Sequence, residues 1–371
     1  MSKAAELASL IGNINAGGGG VNRNVIINGA MNVAQRSTSV TGLGADANTY
    51  QTVDRWRFLT GSTAGRYTLS QDTDSPEGFG SSTKIAVTTA DTSIAAGEYF
   101  FFRQLLEGQN VQQFKKGTSS AVPITVSFYV KGNANATYLV ELEDADNSRL
   151  NSQTFNVTTS WTRVTKTFVA DTTGVLDNDN ANSFNLVFWL HAGSTYTGGT
   201  HTSNTWAGNV AANRVPSGNT SIFDSTSRTF FITGVQMEVG QNATEFEHEP
   251  YGVTKNKCLR YYWRQGGPHV CLGSGTYYRS NLFALHMDLP VPMRVGPTLG
   301  TEYNSNSFII YGTNQADYYD GMGLGRSQVN ESGECYAVQW DSNSSASGTQ
   351  GDGGVVTTQQ SGQYVEFTAE L

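Results

Sequence analysis

Carboxylates come in close pairs in the middle of this chain: Glu141 with Glu143, Asp144 with Asp146, Asp177 with Asp179. Two carboxylates flanking one sugar bond, ~5–9 Å apart, can divide acid and base or nucleophile roles between them. Glu141 and Glu143 fall on one face of a strand and approach that spacing. Asp144–Asn147 (DADN) and Asp177–Asn180 (DNDN) read first as turns that end strands, because Asp and Asn side chains bond their own backbone. Such oxygen-rich loops also suit Ca²⁺, which takes roughly 6–8 oxygen ligands. No cofactor is expected beyond a structural calcium of that kind. Other catalytic patterns are missing. A nucleophile elbow needs G-x-S-x-G, and Gly273-Ser274-Gly275 falls one residue short on each side of the serine. The histidines (His191, His201, His248, His269, His286) show neither H-E-x-x-H nor H-x-H spacing, and Cys258, Cys271 and Cys335 form no C-x-x-C pair. The glycine-rich stretch 321–325 lacks a surrounding β–α unit and reads as a surface loop. The chain is expected not to be an enzyme.

Alternation within the apolar segments suggests binding instead. In PITVSFYVKG, Ile124, Val126, Phe128 and Val130 face one way, and Thr125, Ser127, Tyr129 and Lys131 the other. In FNLVFWLHAG, Phe184, Leu186, Phe188 and Leu190 oppose Asn185, Val187, Trp189 and His191. The apolar sets build a core between two sheets. The opposite sets mix aromatic and polar groups. Rings stack on the C–H faces of pyranoses, and polar neighbours bond the hydroxyls. Tyr129, Glu141, Trp189 and His191 are therefore the expected carbohydrate contacts. The alternative is that this face packs on a loop, on another domain or on another subunit.

The elements that must position these groups follow from composition and pattern. Only 15% of the residues are charged, and 41 are glycine, which favours strands and turns. Short alternating segments bounded by Gly, Asn, Asp and Ser recur from Asn24: Arg66–Gln71, Ser82–Thr88, Tyr99–Leu106, Ile124–Lys131, Thr137–Glu143, Arg163–Phe168, Ser183–His191 and Thr229–Val239. The expected fold class is all-β: a jelly-roll β-sandwich over residues 24–252, carrying the binding face, and a smaller C-terminal β-domain over 253–371. Residues 254–264 fit either a short helix or a strand. Leu7, Leu10 and Ile11 place an apolar face on a short N-terminal helix, followed by a Gly17–Gly20 hinge. Residues 1–23 thus read as a virion-attachment or oligomerisation element. With 23 basic against 31 acidic residues and a net charge of −8, no nucleic-acid partner is expected. No run of ~18 apolar residues suggests membrane insertion, and the N-terminus lacks a secretory h-region.

Six blocks in chain order resemble phage virion-appendage proteins, described as tail-fibre or structural proteins. They are NRNVIINGAMNVAQRSTS (22–39), VDRWRF (53–58), LEGQNVQQFKKGTSSAVPITVSFYVKG (106–132), FFITGVQMEVGQNATEFEHEPYG (230–252), Cys258-Leu-Arg-Tyr-Tyr262 and LPVPMRVGPTL (289–299). Leu259 stands where the family usually has Gln. The resemblance implies a first domain similar to jelly-roll carbohydrate-binding modules and no shared catalytic residues. It also implies a virion location after assembly in the host cytoplasm, a homotrimer, other virion proteins as partners and a host cell-surface glycan as target. Two rivals stand beside a tail fibre: a capsid decoration or head-fibre protein with a purely structural role, and a tail polysaccharide depolymerase.

Overall fold

The computed structural model describes residues 3–4, 22–301, 307–312, 316–319, 322–342, 346–359 and 362–371. The expected attachment residues Leu7, Leu10 and Ile11 lie outside the described residues. The chain divides after Thr254 into two compact units; the second runs from Lys255 to Glu370, and Leu371 groups with the first.

The first unit is an antiparallel β-sandwich. Its strands are β1 (Ser39–Ala45), β2 (Asn48–Thr49), β3 (Arg57–Gly61), β4 (Thr63–Asp72), β5 (Ser82–Thr89), β6 (Tyr99–Glu107), β7 (Ile124–Gly132), β8 (Ala136–Asp144), β9 (Arg149–Val157), β10 (Thr162–Phe168), β11 (Asn182–Ala192), β12 (Ala207–Gly208) and β13 (Thr229–Val239). A six-stranded sheet has the order β1-β4-β5-β13-β7-β10, and a seven-stranded sheet the order β12-β9-β8-β11-β6-β3-β2. Successive strands repeatedly change sheet, the connectivity of a jelly roll. Period-2 alternation explains the layering. Val126, Phe128 and Val130 of β7 meet Phe184, Leu186 and Phe188 of β11 in one buried core. Phe188 stacks on Phe102 (centroids 4.9 Å apart) and takes the edge of Phe128 at 5.0 Å.

Residues 22–35 precede the first strand and are fastened by side chains. Buried Gln104 pairs with Ile27 as a peptide would, accepting from its N–H and donating to its C=O, both at 2.8 Å. Asn24 donates to the Val235 carbonyl (3.1 Å) and accepts from the Met237 N–H (3.0 Å). Glu247 accepts the Asn22 and Asn24 N–H groups at 2.7 and 3.0 Å. The two resemblance blocks at the ends of this unit are thus stitched to each other.

The second unit is also antiparallel β. It holds a three-stranded sheet (Tyr262–Gly266, Tyr364–Thr368, Thr298–Thr301) and a seven-stranded one. The edge strands of the latter are Ala316–Tyr319 and Met322–Val329. Tyr319 and Met322 are three residues apart, at most about 11 Å. Opposite edges therefore approach each other, and the sheet curls around Phe283, Leu285, Phe308, Ile310 and Val338. Residues 254–264 hold both expected forms in part: helix Tyr251–Leu259 ends and strand Tyr262–Gly266 follows. One loop reading is corrected: most of 321–325 begins strand Met322–Val329, and Gly273-Ser274-Gly275 likewise lies within a strand, Cys271–Arg279. Glycine hid these strands, because it has no side chain to show alternation.

Candidate functional site

The outer face of the seven-stranded sheet is ordered by register. Arg57, Arg103, Val187, Glu141 and Ser152 form one row across β3, β6, β11, β8 and β9. Leu59, Phe101, Trp189, Leu139 and Thr154 form the next. The half of this face over β8 and β11 is roofed by the segment from Gly193 to Ser221. Val215 from that segment joins Leu139, Val187 and Trp189 in a small second core, against which Tyr99, Phe101 and Tyr196 pack half-buried. The roof is bonded at several points. Gly193 N–H donates to Glu98 O (2.8 Å), Thr220 N–H to Thr137 O (2.8 Å), and His201 Nε2 lies 2.9 Å from Ser152 Oγ.

This placement corrects the expected contacts. Trp189 and Glu141 lie on the expected face but are 0% exposed. The Trp189 ring centroid is 4.7 Å from Phe101 and 5.3 Å from Tyr196, with the Arg214 guanidinium 5.1 Å above it. Its indole N–H donates to Glu141 Oε1 at 3.3 Å. Arg214 clasps Glu141 through both Nε (3.2 Å to Oε2) and its terminal nitrogen. Burial pushes the Glu141 carboxyl above its ordinary range, and the Arg214 cation, itself held charged by Glu141 and Glu143, pulls it back. His191 is also buried, and a register shift between Trp189 and His191 sets it opposite the core residue Phe100. Its Nδ1 lies 2.8 Å from Ser221 Oγ and its Nε2 3.2 Å from Glu98 Oε2. Ser221 Oγ also accepts the Phe223 N–H as a cap, so this Ser–His–Glu row fastens a loop. Tyr129 sits on the other sheet, half-buried between Phe79 (5.3 Å) and the Arg163 guanidinium (5.9 Å). The four expected contacts therefore do not share one surface.

The partly accessible remainder of the face is what sequence reading missed. Tyr99 and Phe101 stack at 5.3 Å, Tyr196 meets Tyr99 edge-on at 5.8 Å, and the platform is bordered by Arg103, Glu143 and Arg57. Glu143 accepts from Asn185 Nδ2 (3.0 Å) and faces Arg214 (3.4 Å) and Arg103 (3.5 Å). The segment YFFFRQ carried the signal: alternation puts Tyr99, Phe101 and Arg103 on the face opposite Phe100 and Phe102. Arg214 had none, lying 73 residues from Glu141 in a stretch without periodicity.

The oxygen-rich turns are tied internally. Asp144 faces the buried Lys116 ammonium, which also lies 3.0 Å from Asp171, and Asn147 N–H donates to Asp144 at 2.9 Å. Among the described residues, no group of three or more His, Cys, Asp or Glu side chains is arranged to hold a metal ion.

No protein-family model matches the chain, and no curated protein matches it. Among solved structures it is similar to the enzymatically active domain of bacteriophage CBA120 tailspike protein 4 (13% identity, 58% of this chain, 21% of that chain, TM-score 0.29). It is also similar to the family 11 carbohydrate-binding module of a Clostridium thermocellum cellulosomal cellulase (13% identity, 56% and 99% of the two chains, TM-score 0.27). A third is TmCBM61 in complex with β-1,4-galactotriose (8% identity, 59% and 99%, TM-score 0.29). The chain spans about a fifth of the tailspike structure it matches. Likenesses this loose say nothing about a ligand.

Proposed function

We propose that this chain is a structural protein of a bacteriophage particle, of the tail-fibre kind, that holds a host-surface glycan on the outer face of the seven-stranded sheet in its first unit. The observation that carries the binding part is the platform of Tyr99, Phe101 and Tyr196, half-buried, bordered by Arg103 and Glu143, and buttressed by Trp189 and the Glu141–Arg214 pair. Rigid rings offer stacking area at little entropic cost, and the charged border orients hydroxyls. The virion part rests on the resemblance of the six sequence blocks, and the trimeric assembly, the virion partners and assembly in the host cytoplasm belong to the same proposal. Weak single sites act together when several copies are linked.

The surroundings of the two carboxylates support holding rather than cleaving. A glycosidase acid must reach the glycosidic oxygen. Glu141 is closed off by Arg214, Trp189 and the roof, and Glu143 is engaged by Asn185 and two arginines. The test is retention of the purified chain on host cells and on their extracted envelope polysaccharide. Phe101→Ala and Tyr99→Ala, checked for an unchanged melting profile, are expected to weaken retention at least tenfold, with no new reducing ends released. Retention unchanged in both variants would remove the site. New reducing ends would make the chain a depolymerase.

A further inference from the structure

We infer that the Arg103 guanidinium, with Arg57 directly across from it, seats the acidic group of a charged sugar, so that the glycan held on this face is an acidic one. The inference rests on the glycan-binding reading above and names the class of its ligand. β3 and β6 pair Arg57 with Arg103 on the outer face, and like charges directly opposite destabilise a sheet. Arg103 is 20% exposed, and its only ion pair among the described residues is Glu143 at 3.5 Å. Among the described residues its buried Nε meets no hydrogen-bond partner. A guanidinium carries five donors, and enclosing them unpaired is costly. Burial pulls Arg103 below the ordinary arginine range; Glu143 opposes this, and the Arg57 and Arg214 cations reinforce it. Arg57 is already engaged, donating to Asn48 Oδ1 (2.8 Å) and to an oxygen of Leu371, the last residue of the sequence (3.2 Å), which leaves Arg103 as the less satisfied of the two.

Other arginines of this unit are used differently. Arg149 holds Asp171 through two nitrogens, at 2.9 and 3.1 Å. Arg214 does the same for Glu141. Among the described residues Arg103 alone of these three has no such partner, and its guanidinium lies over the Phe101 ring, 5.7 Å from the centroid. A carboxylate or phosphate on a sugar held beside Phe101 reaches the terminal nitrogens of the guanidinium, a planar, permanently charged donor set, while the buried Nε stays behind them.

The test is binding of the full chain to a printed array of bacterial surface polysaccharides, acidic and neutral. The strongest acidic ligand is then re-measured after carboxyl reduction and, separately, after removal of phosphate. Expected are retention of acid-bearing polymers, at least tenfold weaker binding after one of the two treatments, and a similar loss in Arg103→Gln with a flatter salt dependence. Which treatment matters identifies the acidic group. Arg103→Gln is expected to melt no lower than the parent chain, because it removes an under-satisfied cation; Arg103→Lys should restore part of the affinity. Binding indifferent to charge would overturn this inference and leave the glycan reading standing. No polysaccharide bound would overturn both. A lower melting point in Arg103→Gln with unchanged binding would make Arg103 a packing residue and overturn the inference alone.

Discussion

Glu141 shows what a buried charge means here. Its carboxylate has no exposure, and its stability depends on the bidentate Arg214 and the indole N–H of Trp189. Removing one partner of such a pair leaves the other charge without compensation, at a cost of about 3–5 kcal/mol. Glu141→Ala is therefore expected to lower the stability of the first unit by roughly that amount in urea unfolding, while a paired Glu141→Gln, Arg214→Met change should recover much of it. A loss below ~1 kcal/mol for Glu141→Ala would mean the pair is solvated. At this scale the sequence was half legible. Trp189 and Glu141 were correctly placed on one face because strand alternation has period 2. Their burial was not legible, since alternation says which side chains leave a sheet together, not whether that side meets water. His191 was misread because one bulge shifts the alternation after Trp189, and a bulge leaves no mark in an apolar run.

The roofing segment decides which part of the face is open. Gly193 begins it, and a Cβ there would stand 2.1 Å from the Ala95 carbonyl oxygen and 2.5 Å from that of Ala96. Gly193→Ala must push the segment away from the Ala95–Ala96 backbone, at an overpacking cost of roughly 1–3 kcal/mol. The expected outcome is faster tryptic cleavage after Arg214, with the strand spectrum in circular dichroism retained. Cleavage at the parent rate would show that the roof does not depend on this close approach. The strands beneath were readable because each alternates over a buried face. β1, β3 and β9 were passed over: β1 has no fully buried position, β3 is only five residues long, and β9 carries Asn151 and Gln153 among its inward residues, which blur the pattern. The roof itself, rich in Gly, Ser, Thr and Asn, has no period at all, so its docking on Trp189 follows only from the surface it meets.

Two compact units separated after Thr254 make the first a candidate for independent folding. Residues 22–254 alone are expected to unfold in one cooperative transition and to bind the same polysaccharide as the full chain. A fragment that fails to fold, or folds without binding, would show that residues beyond 22–254, Leu371 among them, are needed for the fold or the site. At this scale the all-β class follows from composition and alternation: low charge, frequent turn residues and repeated period-2 segments cannot pack as helices. The division of the outer face into a sealed core around Trp189 and an open platform at Tyr99, Phe101 and Arg103 came only from tertiary structure. Local patterning is set by neighbours two to four residues apart, whereas exposure is set by what a distant, patternless segment covers. Arg214 meets Glu141 across 73 residues of chain, a distance over which no local pattern carries information.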